Sequence, residues 1–155
     1  MQTSFTANQL KDKDNRTSET IIRKCVHCGM CNATCPTYGI NGEELEGPRG
    51  RIYLIKDMLE NKKPATKQIA KHIDSCLSCY SCMTTCPSGV NYMHLIDHGR
   101  NYVEETYERP FFDRLFRNIL SFVLPRPKVF LLMALSSKII KPFSFLFPKF
   151  LKNAL

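Results

Sequence analysis

Apolar residues recur at helical spacing in the segment between the two groups of cysteines. Ile52, Ile55 and Leu59 fall on one side of a stretch that begins at Pro48, and proline is tolerated in the first turn of a helix. The stretch ends at Asn61, because a Lys-Lys-Pro sequence follows it and proline does not continue a helix. The pattern therefore predicts a helix over residues 48–61.

Shorter amphipathic patterns lie on either side of this helix. Ser18 is the expected N-cap of a short helix that carries Ile21 and Ile22, and Ile69 and Ile73 mark another that runs toward the second cysteine group. A longer stretch, which ends before Pro110, carries Tyr92, Leu95, Ile96, Tyr102 and Val103. No segment alternates with period two, so residues 18–108 are predicted to be mainly helical.

The two ends of the chain differ from this body. Residues 1–17 are polar and mixed in charge, without the order of a signal peptide, and are predicted to be a flexible lead-in. From Pro110 onward the composition changes, since nine of the ten Phe residues lie there among prolines. The longest uncharged run there, residues 129–137, is much shorter than the roughly 20 apolar residues that span a bilayer. Residues 109–155 are predicted to form an extension that packs on protein rather than on lipid.

The net charge of +8 belongs mostly to this extension. Eight of the 22 basic residues lie from position 110 onward, against the single acid Asp113. Such basicity can serve nucleic-acid binding, but the aromatic residues here form apolar clusters instead of alternating with basic residues as stacking platforms do. A binding module that acts on nucleic acid or lipid is thus the weaker hypothesis, and no nucleic-acid partner is expected.

All eight cysteines belong to two copies of one motif. The first copy is CVHCGMCNATCP over residues 25–36 and the second is CLSCYSCMTTCP over residues 76–87. Both follow the pattern C-x2-C-x2-C-x3-C-P. Three cysteines at intervals of three can hold three corners of one iron-sulfur cube, and the fourth, followed by proline, ligates the other cluster in two-cluster ferredoxins.

The motifs therefore predict two [4Fe-4S] clusters, each held by cysteines from both copies. Cluster one is assigned to Cys25, Cys28, Cys31 and Cys86, and cluster two to Cys76, Cys79, Cys82 and Cys35. Structural zinc sites usually take two separated C-x2-C pairs, and disulfide frameworks are typical of exported chains, so both alternatives fit the pattern less well. No N-terminal apolar leader is present, and reduced thiols in the cytoplasm are expected.

Residues between and after the ligands are expected to shape the surroundings of the clusters. Gly29 allows the backbone to approach sulfur closely. The side chains expected to exclude water are Val26, Met30, Leu77 and Met83. His27 and Tyr80 are candidates for tuning a cluster or for electron exit, although a packed or exposed loop side chain is the commoner role. Arg49 and Arg51 either offset cluster charge or belong to a solvated helix start.

The chain carries no other catalytic signature. It has no Gly-rich dinucleotide turn, no P-loop and no Gly-x-Ser-x-Gly sequence. His94 and His98 are spaced by four but lack the glutamate of a zinc-protease helix. No catalytic residue is assigned, and any substrate or flavin site is expected on another polypeptide.

The sequence resembles the N-terminal part of the iron-sulfur subunit of bacterial glycolate oxidase (glycolate dehydrogenase). The resemblance is carried by CVHCGMCNATCPTYGINGEELEGPRGRIYLIKDMLE and by the second motif, which continues into CPSGVNY. It extends to the LPRPKVF segment at residues 124–130. Many electron carriers share the cysteine motif, whereas CPTY, GPRGRIYLIK and CPSGV are more specific.

This resemblance implies an alpha-helical ferredoxin domain over residues 18–108, in which all eight cysteines match the ligands of the family. It also implies a separate flavin subunit that oxidises glycolate to glyoxylate. The iron-sulfur subunit then passes electrons singly toward a membrane acceptor, a quinone, and is expected in the cytoplasm, peripherally at the inner face of the cytoplasmic membrane.

Related iron-sulfur subunits are the alternatives. They belong to anaerobic glycerol-3-phosphate dehydrogenase, to lactate utilisation systems and to heterodisulfide reductase. Family members continue into a domain with cysteine-rich CCG repeats, which this sequence does not contain. Residues 109–155 are accordingly expected to lead toward such a domain and to pack on it.

Overall fold

The computed structural model describes the backbone of residues 1–140 and the side chains of residues 1–135, and these residues form helices and no strand. The α-helices are α1 (Lys13–Lys24), α2 (Pro36–Asn41), α3 (Pro48–Asn61), α4 (Lys67–Asp74), α5 (Ser81–Thr84), α6 (Tyr92–Thr106), α7 (Phe111–Val123) and α8 (Pro127–Ile140). Short 3-10 turns occupy Gln9–Lys11, Met30–Thr34 and Glu44–Glu46. The prediction of a mainly helical chain is confirmed. The part of the predicted extension beyond residue 140 lies outside the described residues.

The four helices predicted from the positions of apolar residues are all present. Helix α3 has the predicted bounds, and it ends where Lys62 takes a left-handed conformation. Thr66 caps α4 by accepting a hydrogen bond from the amide of Ile69, and Asn91 caps α6 by accepting one from the amide of His94. Each cap satisfies an amide that the first turn of a helix leaves unpaired.

The core lies where α1, α3, α4 and α6 meet. Its centre is a set of aliphatic and thioether side chains with no exposed surface, namely Ile22, Ile55, Met58, Ile73, Leu95, Ile96 and Val103. Burying each such side chain contributes about 1.5–3 kcal/mol. The cysteines Cys25 and Cys82 are buried at the edge of this core, so the cysteine loops rest directly on the helices.

The first helix begins earlier than its sequence pattern predicts. Asp12, and not Ser18, is its N-cap, and the Asp12 side chain accepts from the amide of Asn15. Ser18 is instead buried inside α1, where its Oγ lies 2.6 Å from Nδ1 of His98 on α6. A polar residue that pairs across the core resembles a cap in sequence, because the same residue types serve both purposes.

Part of the predicted lead-in packs on the helices. Gln9 is buried, and its amide nitrogen donates to the carbonyl oxygens of Leu59 and Glu60 at 2.8 and 3.0 Å. These bonds cover two carbonyls at the end of α3, where a helix has no internal partner for them. The assignment of residues 1–17 as flexible stays a prediction.

The chain divides into two compact units, residues 1–108 and residues 109–155. The second unit contains α7 and α8, and α7 is strongly amphipathic. Its exposed apolar side chains are Phe111, Phe112, Leu115, Phe116, Ile119, Leu120 and Phe122. No single helix among the described residues is long and apolar enough to cross a membrane. Helix α7 and residues 127–135 meet the criteria of length and apolar character when taken together, but they are bent by 110° relative to each other.

We predict that Gly50→Ala destabilises the first unit. A Cβ on Gly50 would lie 2.8 Å from the Cα of Leu45 and would also clash with the carbonyl group of Glu44, and these are backbone atoms that cannot rotate away. The cost of such overpacking is about 1–3 kcal/mol. Thermal unfolding followed by circular dichroism at 222 nm measures it.

Gly39→Ala is the matched control, because Gly39 lies in α2 and a Cβ there meets nothing within 4 Å. Alanine favours a helix over glycine by up to about 1 kcal/mol, so this variant should be as stable as the unsubstituted protein or slightly more so. Equal destabilisation by both substitutions would contradict the packing argument.

Candidate iron-sulfur site

Two cavities lie side by side above the helical core, and together they gather all eight cysteines. The space between the lining atoms of the first cavity, its open mouth included, is about 430 Å³. The cysteines that line it are Cys25, Cys28, Cys31, Cys82 and Cys86. Its other walls include the apolar side chains of Ile52 and Val90. The first motif thus meets Cys86 of the second motif in one cavity.

The corresponding space in the second cavity is smaller, about 290 Å³. Its cysteines are Cys35, Cys76, Cys79 and Cys82. Cys82 and Tyr92 line both cavities and so form the wall between them. The structure therefore brings together each of the two cysteine sets that the motifs predict, although the binding of clusters by these sets stays a prediction.

The two cysteine loops share a backbone conformation. In each motif, the residues two and four positions after the first cysteine have positive φ: His27 (59°) and Gly29 (86°) in the first, Ser78 (51°) and Tyr80 (56°) in the second. Left-handed residues in such loops turn successive amide N–H groups toward one side, which makes a concavity that binds anionic groups, iron-sulfur centres among them. Burial raises the pKa of Cys25, and the nearby amide of His27 partly offsets this effect.

The left-handed conformation costs about 1–2 kcal/mol for a residue other than glycine. Three of the four positions carry a side chain, and the packing of the loops holds them in place. At Gly29 a Cβ would lie 2.7 Å from Nη1 of Arg49, so glycine suits both the conformation and the space there. The close approach of its backbone to sulfur stays a prediction. The sequence motif gave no sign that His27 and Ser78 share this geometry, since neither residue type requires it.

The thiols at the centre of the cavities are electrostatically crowded. Burial, together with the negative charges of Cys25, Cys86 and Cys28, raises the pKa of Cys31 to about 11. Burial and the charges of Cys31, Cys76, Cys35 and Cys79 raise the pKa of Cys82 to about 12. Several thiolates can coexist at such short range only around a cation. The donor set and the amide concavity therefore fit iron-sulfur clusters.

The residues expected to exclude water do so only in part. Val26 and Leu77 line the first and the second cavity respectively, yet they are 68% and 67% exposed. Met30 is also more than half exposed, while Met83 packs against the core. Each cavity is consequently sealed on its core side and open on its loop side.

Arg51 lies at the second cavity and is fully buried, so it does not belong to a solvated helix start. Its Nη2 lies 2.9 Å from a carboxylate oxygen of Glu46 and donates to Ser75 Oγ, and its Nε donates to the carbonyl of His72 at 2.6 Å. His72 Nδ1 lies 2.8 Å from the other oxygen of Glu46. Burial raises the pKa of Glu46, but the hydrogen bonds and charges of Ser75, His72 and Arg51 outweigh it and lower the pKa overall.

Sequence reasoning missed most of this buried network. Glu46 lies in a Gly-Glu-Glu-Leu-Glu-Gly segment that is typical of a solvated loop, and His72 lies on a short helix with no ligand pattern. Glu43, Glu46 and His72 also place donor atoms within 4.8 Å of one another, but the guanidinium of Arg51 already supplies the cation there. Only the fold brings these residues together.

The other predicted neighbours take different positions. Arg49 lines the first cavity and forms an ion pair with Glu44 that is partly exposed. His27 also lines the first cavity, with its ring 6.5 Å from that of Tyr53. Tyr80 lines the second cavity and packs against the core. His94 and His98 line neither cavity, in keeping with their assignment outside the site.

The site agrees with the comparison to known protein families. The family described as a 4Fe-4S dicluster domain matches residues 21–90. This range begins just before the first cysteine motif and ends just after the second. None of the solved structures matches the chain significantly.

Curated proteins similar to this chain are iron-sulfur subunits. The "Glycolate oxidase iron-sulfur subunit" of Escherichia coli is 47% identical over 92% of this chain and 35% of its own length. The "Probable glycolate oxidase iron-sulfur subunit" of Bacillus subtilis is 32% identical over 71% of this chain and 24% of its own length. The "Succinate dehydrogenase iron-sulfur subunit" of Paracoccus denitrificans is 28% identical over 45% and 29%. The chain thus spans about a third of the length of the E. coli relative and about a quarter of that of the B. subtilis relative.

We predict that Glu46→Gln strongly destabilises the first unit. The substitution keeps the size of the side chain but leaves the buried guanidinium of Arg51 without a compensating charge, and breaking a buried pair in this way costs about 3–5 kcal/mol. Chemical denaturation of the cluster-loaded chain measures the loss.

The matched control is Asp57→Asn, which makes the same chemical change in an exposed pair. Asp57 lies 3.1 Å from Lys63, and 39% and 57% of their side chains are exposed. Exposed pairs contribute less than about 1 kcal/mol. If the two variants lost equal stability, the Glu46 network would have no special structural role.

Proposed function

The chain carries a 4Fe-4S dicluster domain and is a relative of glycolate oxidase iron-sulfur subunits, and from this we propose that it relays electrons within a glycolate-oxidising complex. The observation that carries the proposal is the sorting of eight cysteines into two adjacent cavities. A chain that only bound metal for stability would need neither two sites nor a shared wall between them.

We assign one cluster to each cavity. Cys25, Cys28, Cys31 and Cys86 would hold the first [4Fe-4S] cluster, and Cys35, Cys76, Cys79 and Cys82 the second. When bound, each cluster supplies a centre that gains and loses one electron. Cys82 also faces the first cavity and has Cys31 as a charged neighbour. Its place in the second motif, together with its neighbours Cys76, Cys35 and Cys79, favours the second set.

The residues of the chain perform three tasks for such a relay. The cysteine loops supply thiolates and amide donors. The core side chains of Ile52 and Val90 keep water from the inner face of the first cavity. The wall made by Cys82 and Tyr92 fixes the two sites next to each other, so that electrons pass between them over a short, rigid path.

The chemistry at the substrate belongs to a partner. Oxidation of glycolate to glyoxylate releases two protons and two electrons, which a flavin can accept as a pair and pass on singly. The sequence has no dinucleotide or flavin signature. We therefore propose a flavin-containing partner subunit as electron donor and a quinone at the cytoplasmic face of the membrane as the final acceptor.

The second unit is suited to attach the relay to a larger assembly. Helix α7 exposes an apolar face to solvent. The relatives extend far beyond the part that this chain matches. We propose that this face packs on a further protein segment. Similarity to a succinate dehydrogenase subunit supports electron relay as the general role, with a different electron donor as the alternative.

We predict about eight iron atoms per chain after anaerobic reconstitution, in two clusters whose visible absorbance bleaches on reduction. Cys86→Ser should damage the cluster held by the first motif and spare the other. Iron analysis and electron paramagnetic resonance (EPR) of the reduced protein distinguish the two signals. Ser88→Ala, a nearby substitution in the wall of the same cavity, should change neither.

The opposite pattern, in which Cys86→Ser removes only the cluster of the second motif, would show that the assignment of ligands is wrong. A zinc-loaded protein without visible absorbance would contradict the iron-sulfur proposal altogether.

The role in the complex is tested by electron delivery. With the flavin subunit present under anaerobic conditions, glycolate should bleach the clusters of this chain by two electrons per glycolate, and the chain alone should not respond. If the loaded chain stays oxidised with glycolate but is reduced with another donor of the alternative systems, the relay stands and glycolate is the wrong substrate. If no flavin subunit reduces it, the relay role fails.

A further inference from the structure

The two cavities have chemically different walls. The hydroxyl of Tyr92 donates to the sulfur of Cys76 in the second cavity at 3.7 Å. Tyr92 is only 4% exposed, so water does not compete for this donor.

Other polar groups reinforce the second cavity. The guanidinium of Arg51 lies fully buried with Nη1 4.0 Å from the sulfur of Cys35. Ser81 lies close enough to Cys79 for its amide and its hydroxyl to lower the pKa of that thiol. Two of the four sulfurs that we assign to the second cluster thus have a side-chain donor within 4.0 Å, and a third has a hydroxyl nearby.

The first cavity lacks comparable donors. Among residues 1–135, no side-chain N–H or O–H group donates to the sulfurs of Cys25, Cys28, Cys31 or Cys86. The side chain of Asn32 contacts the sulfur of Cys31, but it does so with its oxygen, which accepts from the thiol. The ammonium group of Met1 lies near Cys25 and donates to its carbonyl oxygen. The other cation of this cavity, Arg49, is partly exposed and paired with Glu44. Its charge is therefore screened by water and by its partner.

A cluster that accepts an electron gains negative charge, which spreads onto its sulfur ligands. Hydrogen-bond donors and buried cations stabilise that charge, so they raise the reduction potential. The effect of each donor is larger in a site that excludes water. Tyr92 lines both cavities but directs its hydroxyl to one of them, and so it distinguishes two sites that the repeated motif would otherwise make alike.

We propose that Tyr92 sets the order of the two reduction potentials, because its hydroxyl raises the potential of the cluster at Cys35, Cys76, Cys79 and Cys82 above that of the other cluster. This rests on the proposed function, since it requires both clusters. The first electron to enter the chain then resides at the second cluster. The two clusters thus differ in their affinity for an electron, although their cysteine motifs have the same spacing.

The test is a redox titration of the cluster-loaded chain, followed by EPR, in which Tyr92→Phe removes only the hydroxyl and leaves the ring in the core. We expect the cluster of higher potential to become about tenfold harder to reduce at a fixed potential, which is about 59 mV for one electron. The other cluster should keep its potential. The signal that Cys79→Ser alters identifies the second cluster.

Tyr53→Phe is the matched control. Tyr53 lies on the same side of the molecule as the first cavity, near His27, and is 55% exposed, so loss of its hydroxyl should move neither potential. Ser81→Ala serves as a second variant that leaves the core intact if Tyr92→Phe loads poorly. It should lower the same potential as Tyr92→Phe, by less, because Cys79 is exposed.

An unchanged potential of the second cluster in Tyr92→Phe, a shift of the first cluster alone, or a second cluster that titrates below the first in the unsubstituted chain would each overturn the proposal. If Tyr92→Phe loads too poorly to titrate, an unchanged potential in Ser81→Ala would overturn it as well. Iron analysis before the titration distinguishes a failure of the proposed role of Tyr92 from a failure of the proposed function. A chain that holds two clusters but shows no shift refutes the role of Tyr92 only, whereas a chain that holds no cluster refutes both.

Discussion

The arrangement of this protein depends on the exchange of one cysteine between two motifs. Cys35 leaves the first motif to lie among the cysteines of the second, and Cys86 does the reverse. Neither cavity can form from one motif alone, so the two loops must be held against each other. Helices α3 and α4 connect the motifs in sequence, and α6, which follows the second motif, packs against both of them. These three helices provide that support.

The buried ion pair between Arg51 and Glu46 joins this support to the second cavity. It connects the 3-10 turn at Glu44–Glu46 with α3, and through His72 and Ser75 it reaches the end of α4. A charged pair of this kind rarely adds net stability over an apolar pair of the same size. We therefore interpret the pair as a means of holding polar groups in fixed positions beside the second cysteine cavity, and not as a source of stability.

The sequence alone was sufficient for features whose cause is local. The bounds of α3 follow from apolar spacing, an opening proline and a closing Lys-Lys-Pro sequence. The two cysteine sets follow from the repeated C-x2-C-x2-C-x3-C-P spacing, which is typical of two-cluster ferredoxins. Features that depend on a residue far away in the sequence could not be predicted from the sequence. Ser18 resembled a cap because its partner, His98, is far away in sequence, and Tyr92 counted only as an apolar helix residue until the fold placed its hydroxyl at Cys76.

The exchange of cysteines also has a consequence for biosynthesis. A ribosome releases the chain from its N-terminus, and the first motif emerges complete while its remaining cavity cysteine, Cys86, has yet to be made. The second cavity is complete only when Cys82 emerges, shortly before Cys86. Both cavities therefore become complete almost together, and the thiols of the first motif lack their partners while residues 36–86 are being made. Delivery of iron and sulfide to this chain is thus expected to follow translation of the whole ferredoxin part rather than accompany it.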